Sequence, residues 1–313
     1  MTIFFAIIQT FAVLIIAPSV VGLVRKGKAR FQNRRGASIF LPYWALLSLF
    51  RKEMTITKHS SWVFRFVPFV VFGTALSLAV LVPSLAYGVI PGQLGNIFFV
   101  AAIVALGSVF LVLGGMDTAS TFGNMGSSRE ITIASLVEPA FFLTFAGLAA
   151  AAGTYSLDGI VGHFAVASFS PAILVTLIGF LFVILAENAR YPVDNPATHL
   201  ELTMVHEAMV LEYSGPYLAL LEYASMVKLT VMLALLANLL WPIGLLHPGI
   251  SVPGVIGSMM YFVLKLALAA FFLAFIESTI VKMRFYRMQE YMSLAFLIAF
   301  AGCVLIVVLK TTL

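Results

Sequence analysis

Long apolar stretches divide this sequence and restrict what it can fold into. Eight of them reach about 20 residues or nearly so, the length at which a helix crosses roughly 30 Å of hydrocarbon. Hydrophobic residues make up 62% of the chain and charged residues only 10%, against about a quarter in a typical soluble domain. We therefore predict an integral membrane protein. The predicted spans lie near residues 3–24, 63–87, 97–115, 131–152, 166–186, 217–240, 255–276 and 291–309.

These spans are predicted to be helices of a single membrane domain, residues 1–313. Strands of a membrane barrel alternate apolar and polar side chains, and the apolar stretches lack that alternation. The first stretch has no Lys or Arg ahead of it and is too long for the core of a signal peptide, so we predict a retained span. The predicted fold class is an all-α membrane protein with eight transmembrane helices.

The distribution of Lys and Arg predicts the orientation, because these residues accumulate on the cytoplasmic side of a membrane. The first, third, fifth and seventh loops carry them, and the second, fourth and sixth carry none. Both termini are therefore predicted on the outer side. No nucleic-acid recognition motif accompanies these basic residues, and we predict no nucleic-acid partner. The loop residues and one at the start of the second span are Arg25, Lys26, Lys28, Arg30, Arg34, Arg35, Arg51, Lys52, Lys58, Arg65, Arg129, Arg190, Lys282, Arg284 and Arg287.

Within the first loop, the stretch "LPYWALLSLFRKE" (41–53) favours a short amphipathic helix on the cytoplasmic surface. Most of its large apolar residues fall along one helical side, and two basic residues follow them. A plain basic loop, retained only for topology, is the alternative. The residues concerned are Leu41, Trp44, Leu47, Leu49, Phe50, Arg51 and Lys52.

Several kinds of chemistry are disfavoured by the sequence. Cys303 is the only cysteine, which excludes a cysteine-ligated iron–sulfur cluster or zinc site within this chain. His199 and His206 stand near glutamates, but "HEAMV" lacks the second histidine of a zinc-protease helix, so no metal site is predicted. Phosphate-binding glycine motifs and nucleophile elbows are also missing. We predict no catalytic activity for the chain alone.

Acids are concentrated in the fifth loop, "ENARYPVDNPATHLELTMVHEAMVLEYSG" (187–215). This stretch holds five of the chain's thirteen acids. Ionisable groups that border or enter a membrane are costly and are therefore functional candidates. The alternative is a solvated acidic loop without chemistry. The five are Glu187, Asp194, Glu201, Glu207 and Glu212.

Other charges fall inside the spans and predict an internal polar path. They are Glu138, Glu222, Lys228 and Lys265, with Glu277 at the end of the seventh span. Glu222 and Lys228 are six residues apart, so they are expected on different sides of one helix and each should find a partner elsewhere.

Glu138 is the predicted relay carboxyl within the membrane. Pro139 follows it, lacks a backbone N–H and leaves the carbonyl of Ser135 without its helical partner, which suits a hydrated pocket. A structural ion pair of Glu138 with Lys228 or Lys265 is the alternative.

Several of these segments resemble one known family. "AENARYPVDNPATHLEL" and "EYSG" resemble the loop after the fifth helix in subunit 1 of respiratory NADH dehydrogenase and in its relatives, the subunit 4 proteins of formate hydrogenlyase and other membrane-bound NiFe hydrogenases. The hydrogenase branch is favoured, because Ala197 and His199 stand where the respiratory subunit usually has acids. Further matching segments are "QNRRG" (32–36), "GSSREITIASLVEPA" (126–140) and "ESTIVKMRF" (277–285).

The resemblance implies a subunit of the cytoplasmic (inner) membrane that docks a soluble redox arm onto an ion-pumping membrane arm. It implies hydrogenase-like large and small subunits, an iron–sulfur subunit and antiporter-like membrane subunits as partners, with the NiFe centre and iron–sulfur clusters in the partners. A quinone-binding subunit and a purely structural anchor are the alternatives. By matching motif, the polar path includes Glu138, Glu187, Asp194 and Glu201, and the docking face includes Arg34, Arg35, Arg129, Glu130, Arg190 and Arg284.

Overall fold

A computed structural model of the protein describes residues 2–57, 60–89, 94–166, 170–194, 205–246, 252–280, 283 and 285–312. These ranges form eleven α-helices. In chain order they are α1 (Thr2–Phe31), α2 (Leu41–Arg51), α3 (Trp62–Leu81), α4 (Ile97–Asp117), α5 (Thr121–Ala152), α6 (Leu157–Val166), α7 (Pro171–Glu187), α8 (His206–Val210), α9 (Gly215–Leu240), α10 (Val252–Thr279) and α11 (Phe285–Thr312).

Seven of the described helices are long and apolar enough to cross a membrane: α1, α3, α4, α5, α9, α10 and α11. They coincide with seven of the eight predicted spans and confirm a multi-pass integral membrane protein. The span predicted near 166–186 corresponds to α7, which has 17 residues and is about 26 Å long. The count of eight spans and the outward termini therefore stay predictions.

Helix boundaries differ from the predicted spans because apolarity marks only the hydrocarbon part of a helix. α1 continues to Phe31 through basic residues, and α5 starts at Thr121, where the Ser120 side chain accepts the Gly123 N–H at 3.1 Å. α3 is shorter than predicted and ends at Leu81, just before Pro83, which has no N–H to continue a helix. Charged turns lengthen helices here, and a proline limits one.

The transmembrane helices pack around α9, whose side chains are buried along most of its length. α9 contacts α1, α3, α7 and α10, while α5 contacts α4, α7 and α11. The consecutive helices α10 and α11 pack on different neighbours: α10 on α1 and α9, and α11 on α5 and α7. α9 and α7 thus join the two groups of helices.

The predicted amphipathic helix is present as α2, which lies against α1 and α9. Pro42 and Leu46 are buried, whereas Trp44, Leu47 and Phe50 are exposed. The Tyr43 hydroxyl donates to the carbonyl of Ile15 in α1. This arrangement presents an apolar side outward, as an interfacial helix requires, and its position at the membrane surface stays a prediction.

Candidate functional site

A cavity of about 600 Å³ lies in the half of the bundle where α1, α7 and α10 end and α9 begins. Six of the chain's thirteen acids line it, together with only four of its eighteen Lys and Arg residues. The chain as a whole carries a formal charge of +5, so the excess of acids is local to this cavity. The charged lining residues are Glu130, Glu187, Asp194, Glu207, Glu222, Glu277, Arg25, Lys28, Arg190 and Lys228.

A buried ion pair crosses the cavity between Glu187 at the end of α7 and Lys228 in α9. The Lys228 Nζ lies 2.7 Å from the Glu187 Oε1, and the Lys228 and Glu187 side chains are only 21% and 10% exposed. Ser108 of α4 donates its hydroxyl to the same carboxylate oxygen at 3.2 Å. Because burying two charges carries a desolvation cost that often exceeds their attraction, this pair is weak evidence for stability and better evidence for a functional site.

The segment after α7 carries a second acid into the cavity. Asp194 is 2% exposed, and its Oδ2 accepts the backbone N–H of His206 at the start of α8 at 3.4 Å. Glu130 of α5 and Glu207 of α8 also face the cavity. Acids from three elements are therefore gathered around one space.

A third group of charges closes the cavity between α1, α10 and the segment after α7. The Glu277 carboxylate lies 3.3 Å from the Arg190 guanidinium and 3.5 Å from the Lys28 ammonium, and its side chain is 3% exposed. Lys28 also lies over the Tyr191 ring, 4.0 Å from its centroid. Burial, together with the charge of Glu277 as a smaller cause, raises the pKa of Tyr191 above its ordinary value of 10.0.

The His206 side chain is neutral at physiological pH. Burial lowers its pKa from 6.5 to about 4, and the nearby Asp194 charge only partly opposes that effect. The folded protein therefore binds this proton less tightly than the unfolded chain. By linkage, His206 costs stability progressively as the pH falls from about 6.5 towards 4.

We expect acid sensitivity of the protein to decrease in a His206→Gln variant. Between pH 7 and pH 5 the histidine accounts for a loss of about 2 kcal/mol in the free energy of unfolding. Thermal unfolding of the purified parent and variant at both pH values measures this difference. His163→Gln, at an exposed position of α6, is the matched control and should keep the parental sensitivity. Equal sensitivity of the His206→Gln variant and the parent would contradict the assignment.

Several predicted site residues lie outside this cavity. Glu138 is half-buried in α5, and its predicted ion-pair alternative does not form: Lys228 pairs with Glu187, and Lys265 donates to the Asn238 Oδ1 at 2.9 Å. Arg129 and Glu212 are half-buried and do not line the cavity.

Other predictions have mixed outcomes. Glu222 and Lys228 do not pair with each other, as expected, yet both line the cavity because its wall covers a wide part of α9. Arg34 and Arg35 are exposed after α1. Glu201, Arg284 and His199 lie outside the described residues. Among the described residues, no three His, Cys, Asp or Glu side chains are grouped so that they could hold a metal ion.

Sequence reasoning gave no site role to three residues of the cavity: Arg25, Lys28 and Ser108. The two bases were hidden among the many basic residues of the first loop. Ser108 carried no signal, because a single serine in an apolar helix commonly bonds its own backbone. Glu277 did carry one, since it is an acid at the end of a span, but its two cationic partners could not be named from the sequence.

Known proteins share this sequence and fold along almost the whole chain. Hydrogenase-4 component C of Escherichia coli K12 is 31% identical over 299 residues, covering 94% of this chain and 93% of that protein. Formate hydrogenlyase subunit 4 of the same organism is 27% identical over 287 residues, covering 91% and 92%. An NADH-quinone oxidoreductase membrane protein of Anaplasma phagocytophilum is 27% identical over 305 residues, covering 89% and 87%.

A solved structure has the same fold. A chain of the membrane-bound sulfane sulfur reductase, an archaeal respiratory membrane complex, superposes with a TM-score of 0.82 at 16% identity, covering 97% of this chain and 99% of that chain. Residues 3–309 match the family model described as NADH dehydrogenase. These matches confirm the family resemblance predicted from the loop motifs. This chain belongs to the NADH dehydrogenase family and is a membrane subunit of complexes of the hydrogenase and respiratory type.

Proposed function

We propose that this subunit anchors the soluble redox arm of a membrane-bound NiFe hydrogenase complex and couples electron transfer in that arm to translocation of H⁺ or Na⁺. Two of its relatives are a hydrogenase component and a formate hydrogenlyase subunit. The observation that carries the proposal is the acid-rich cavity. It lies in the half of the bundle that the basic loops predict to be cytoplasmic, where a soluble arm would dock.

The cavity geometry suits coupling through charge. Two unit charges about 4 Å apart interact by about 4 kcal/mol at the effective dielectric constant near a protein surface. A redox event in a docked partner that adds or removes a charge at the cavity mouth would change how strongly these carboxylates hold protons. Glu187 is well placed to respond, since its carboxylate is shared between Lys228 and Ser108. Loss of a cation contact and gain of a proton would then alternate at this group.

The redox centres of such a complex would belong to partner subunits. The hydrogenase-like large and small subunits and an iron–sulfur subunit would hold the NiFe centre and the iron–sulfur clusters, and antiporter-like subunits would extend the membrane arm. The single cysteine of this chain, Cys303, lies in α11 far along the sequence from the cavity segments, and cysteine ligation of a cluster needs several thiolates.

Charge reversal at Arg34 and Arg35 tests the anchoring role. Both side chains are exposed just after α1, on the face predicted to dock the soluble arm. We expect Arg34→Glu together with Arg35→Glu to reduce the amount of soluble arm that stays on washed membranes at least fivefold at low salt, because like charges would then oppose each other. Co-purification of that arm with the membrane subunit is the measurement. Lys310→Glu, at the opposite end of the bundle, is the control, and equal retention in both variants would argue against this docking face.

A quinone-binding subunit is the second candidate, and the size of the cavity favours it. Ligand pockets commonly occupy about 300–1,000 Å³ and combine an apolar wall with a few polar groups. Val21, Leu78 and Leu111 supply such a wall beside the charged residues. Extraction of quinone from the purified complex in a stoichiometric amount, lost on replacing Leu78 by Trp, would favour this function over the first.

A further inference from the structure

The segment that carries Glu187 and Asp194 leaves α7 through a strained turn. Ala189 has a φ of +47°, in the left-handed region that is unfavourable for any residue with a Cβ. Such a conformation persists only when surrounding contacts hold it. Within the segment, the Arg190 N–H donates to the Leu185 carbonyl at 2.8 Å and the Asp194 N–H to the Arg190 carbonyl at 3.2 Å. These local bonds shape the turn but do not fix it against the other helices.

Contacts from α1 and α10 fix the segment from outside. Glu277, near the end of α10, pairs with Arg190 of the segment and with Lys28 of α1. Lys28 extends this contact to the ring of Tyr191. The N–H of Met283 donates to the carbonyl of Pro192 at 3.0 Å. One buried carboxylate therefore connects α10, α1 and the segment, and each connection crosses the edge of the cavity.

We infer that Glu277 is a positioning residue of the cavity: it fixes the segment between Glu187 and Asp194 so that both carboxylates face the cavity. The inference rests on the proposed function only for its consequence in ion transport, since the positioning itself is a property of the resting protein. Glu277 is not a member of the acid cluster around Lys228, and it acts on that cluster through Arg190.

The geometry distinguishes positioning from simple packing. A buried carboxylate that only filled space could be replaced by an amide of the same shape with little local effect. At Glu277 the amide would leave two cations without their counter-charge, one of them inside the strained segment. Released from this partner, Arg190 would favour a position nearer to water, and the turn at Ala189 would lose the contact that opposes its strain.

Hydrogen–deuterium exchange in the purified resting complex tests this inference. In the Glu277→Gln variant, we expect backbone exchange in residues 187–194 to rise about tenfold relative to the parent, with parental exchange in α5 and α11. Glu277→Asp keeps the charge with a shorter reach and should give an intermediate rise. Glu290→Gln removes an exposed acid at the start of α11 and is the control, with parental exchange expected throughout.

Parental exchange in residues 187–194 of the Glu277→Gln variant would overturn the inference, as would an equal rise in every helix. If that variant does not accumulate, Glu277→Asp and Lys28→Gln replace it: a rise confined to the segment supports positioning, and parental exchange in both overturns it. No electron donor or ion gradient enters this measurement. Failure of the proposed coupling function would therefore leave its result unchanged, and the two can be separated.

Discussion

Replacing Glu187 by Gln is expected to abolish most coupled turnover and to lower the free energy of unfolding by about 3 kcal/mol. The substitution keeps the shape of the side chain but leaves the buried Lys228 ammonium without its counter-charge, which is the costly way to break a buried pair. It also removes the acceptor charge for the Ser108 hydroxyl. Thermal unfolding and donor-dependent turnover of the purified complex measure the two effects.

A double variant separates stability from function at this pair. Glu187→Gln combined with Lys228→Met removes both charges, so the desolvation cost disappears and most of the lost stability should return. Coupled turnover should stay low, because the exchangeable carboxylate is still missing. Recovery of turnover along with stability would show that the pair serves packing alone. Glu290→Gln, which removes an exposed acid of α11, should match the parent in both measurements.

Glu138→Gln is expected to assemble at normal levels and to lose most ion translocation. Glu138 lies eight residues beyond Glu130 in α5, which places it about 12 Å further along the helix axis from the cavity. Pro139 opens the backbone beside it, and a glutamine at this position cannot exchange a proton. A relay carboxyl at this place would receive the ion from the cavity, so Glu130→Gln should have a comparable effect.

The conservative variant Glu138→Asp controls for shape and charge, and it should retain part of the transport. Ion uptake is the quantity to compare among the three variants, each normalised to the amount of assembled complex. Parental uptake in Glu138→Gln, with loss in Glu130→Gln, would restrict the path to the cavity and leave Glu138 as a structural acid. Loss in neither would remove α5 from the path.

Much of the fold could be predicted because the thickness of the hydrocarbon fixes the length of a span. Seven apolar stretches became helices of the required length. The ends of α1 and α5 could not be predicted in the same way, since their polar turns continue the helix outside the apolar stretch. The short helices α6 and α8 also escaped prediction, because the stretches are brief and have no distinct periodic pattern.

The candidate site was only partly accessible from the sequence. The density of acids around Glu187 and Asp194 pointed to the correct loop, and both residues line the cavity. The partner of Lys228 could not be derived, because Glu187 lies on a different helix and the choice among acids depends on how α7 packs against α9. The same holds for Glu277, whose two cations come from distant parts of the chain. Spacing within a helix cannot report such contacts.

The most direct test of the coupling role is the number of ions taken up per electron pair in vesicles that carry the complex. Proton or sodium uptake and the redox rate are followed together for the parent and for Glu187→Gln. The cavity account predicts that uptake per electron pair falls at least tenfold in the variant while a measurable redox rate persists. A parental ratio in Glu187→Gln would contradict the claim that the charged cavity couples electron transfer to ion movement.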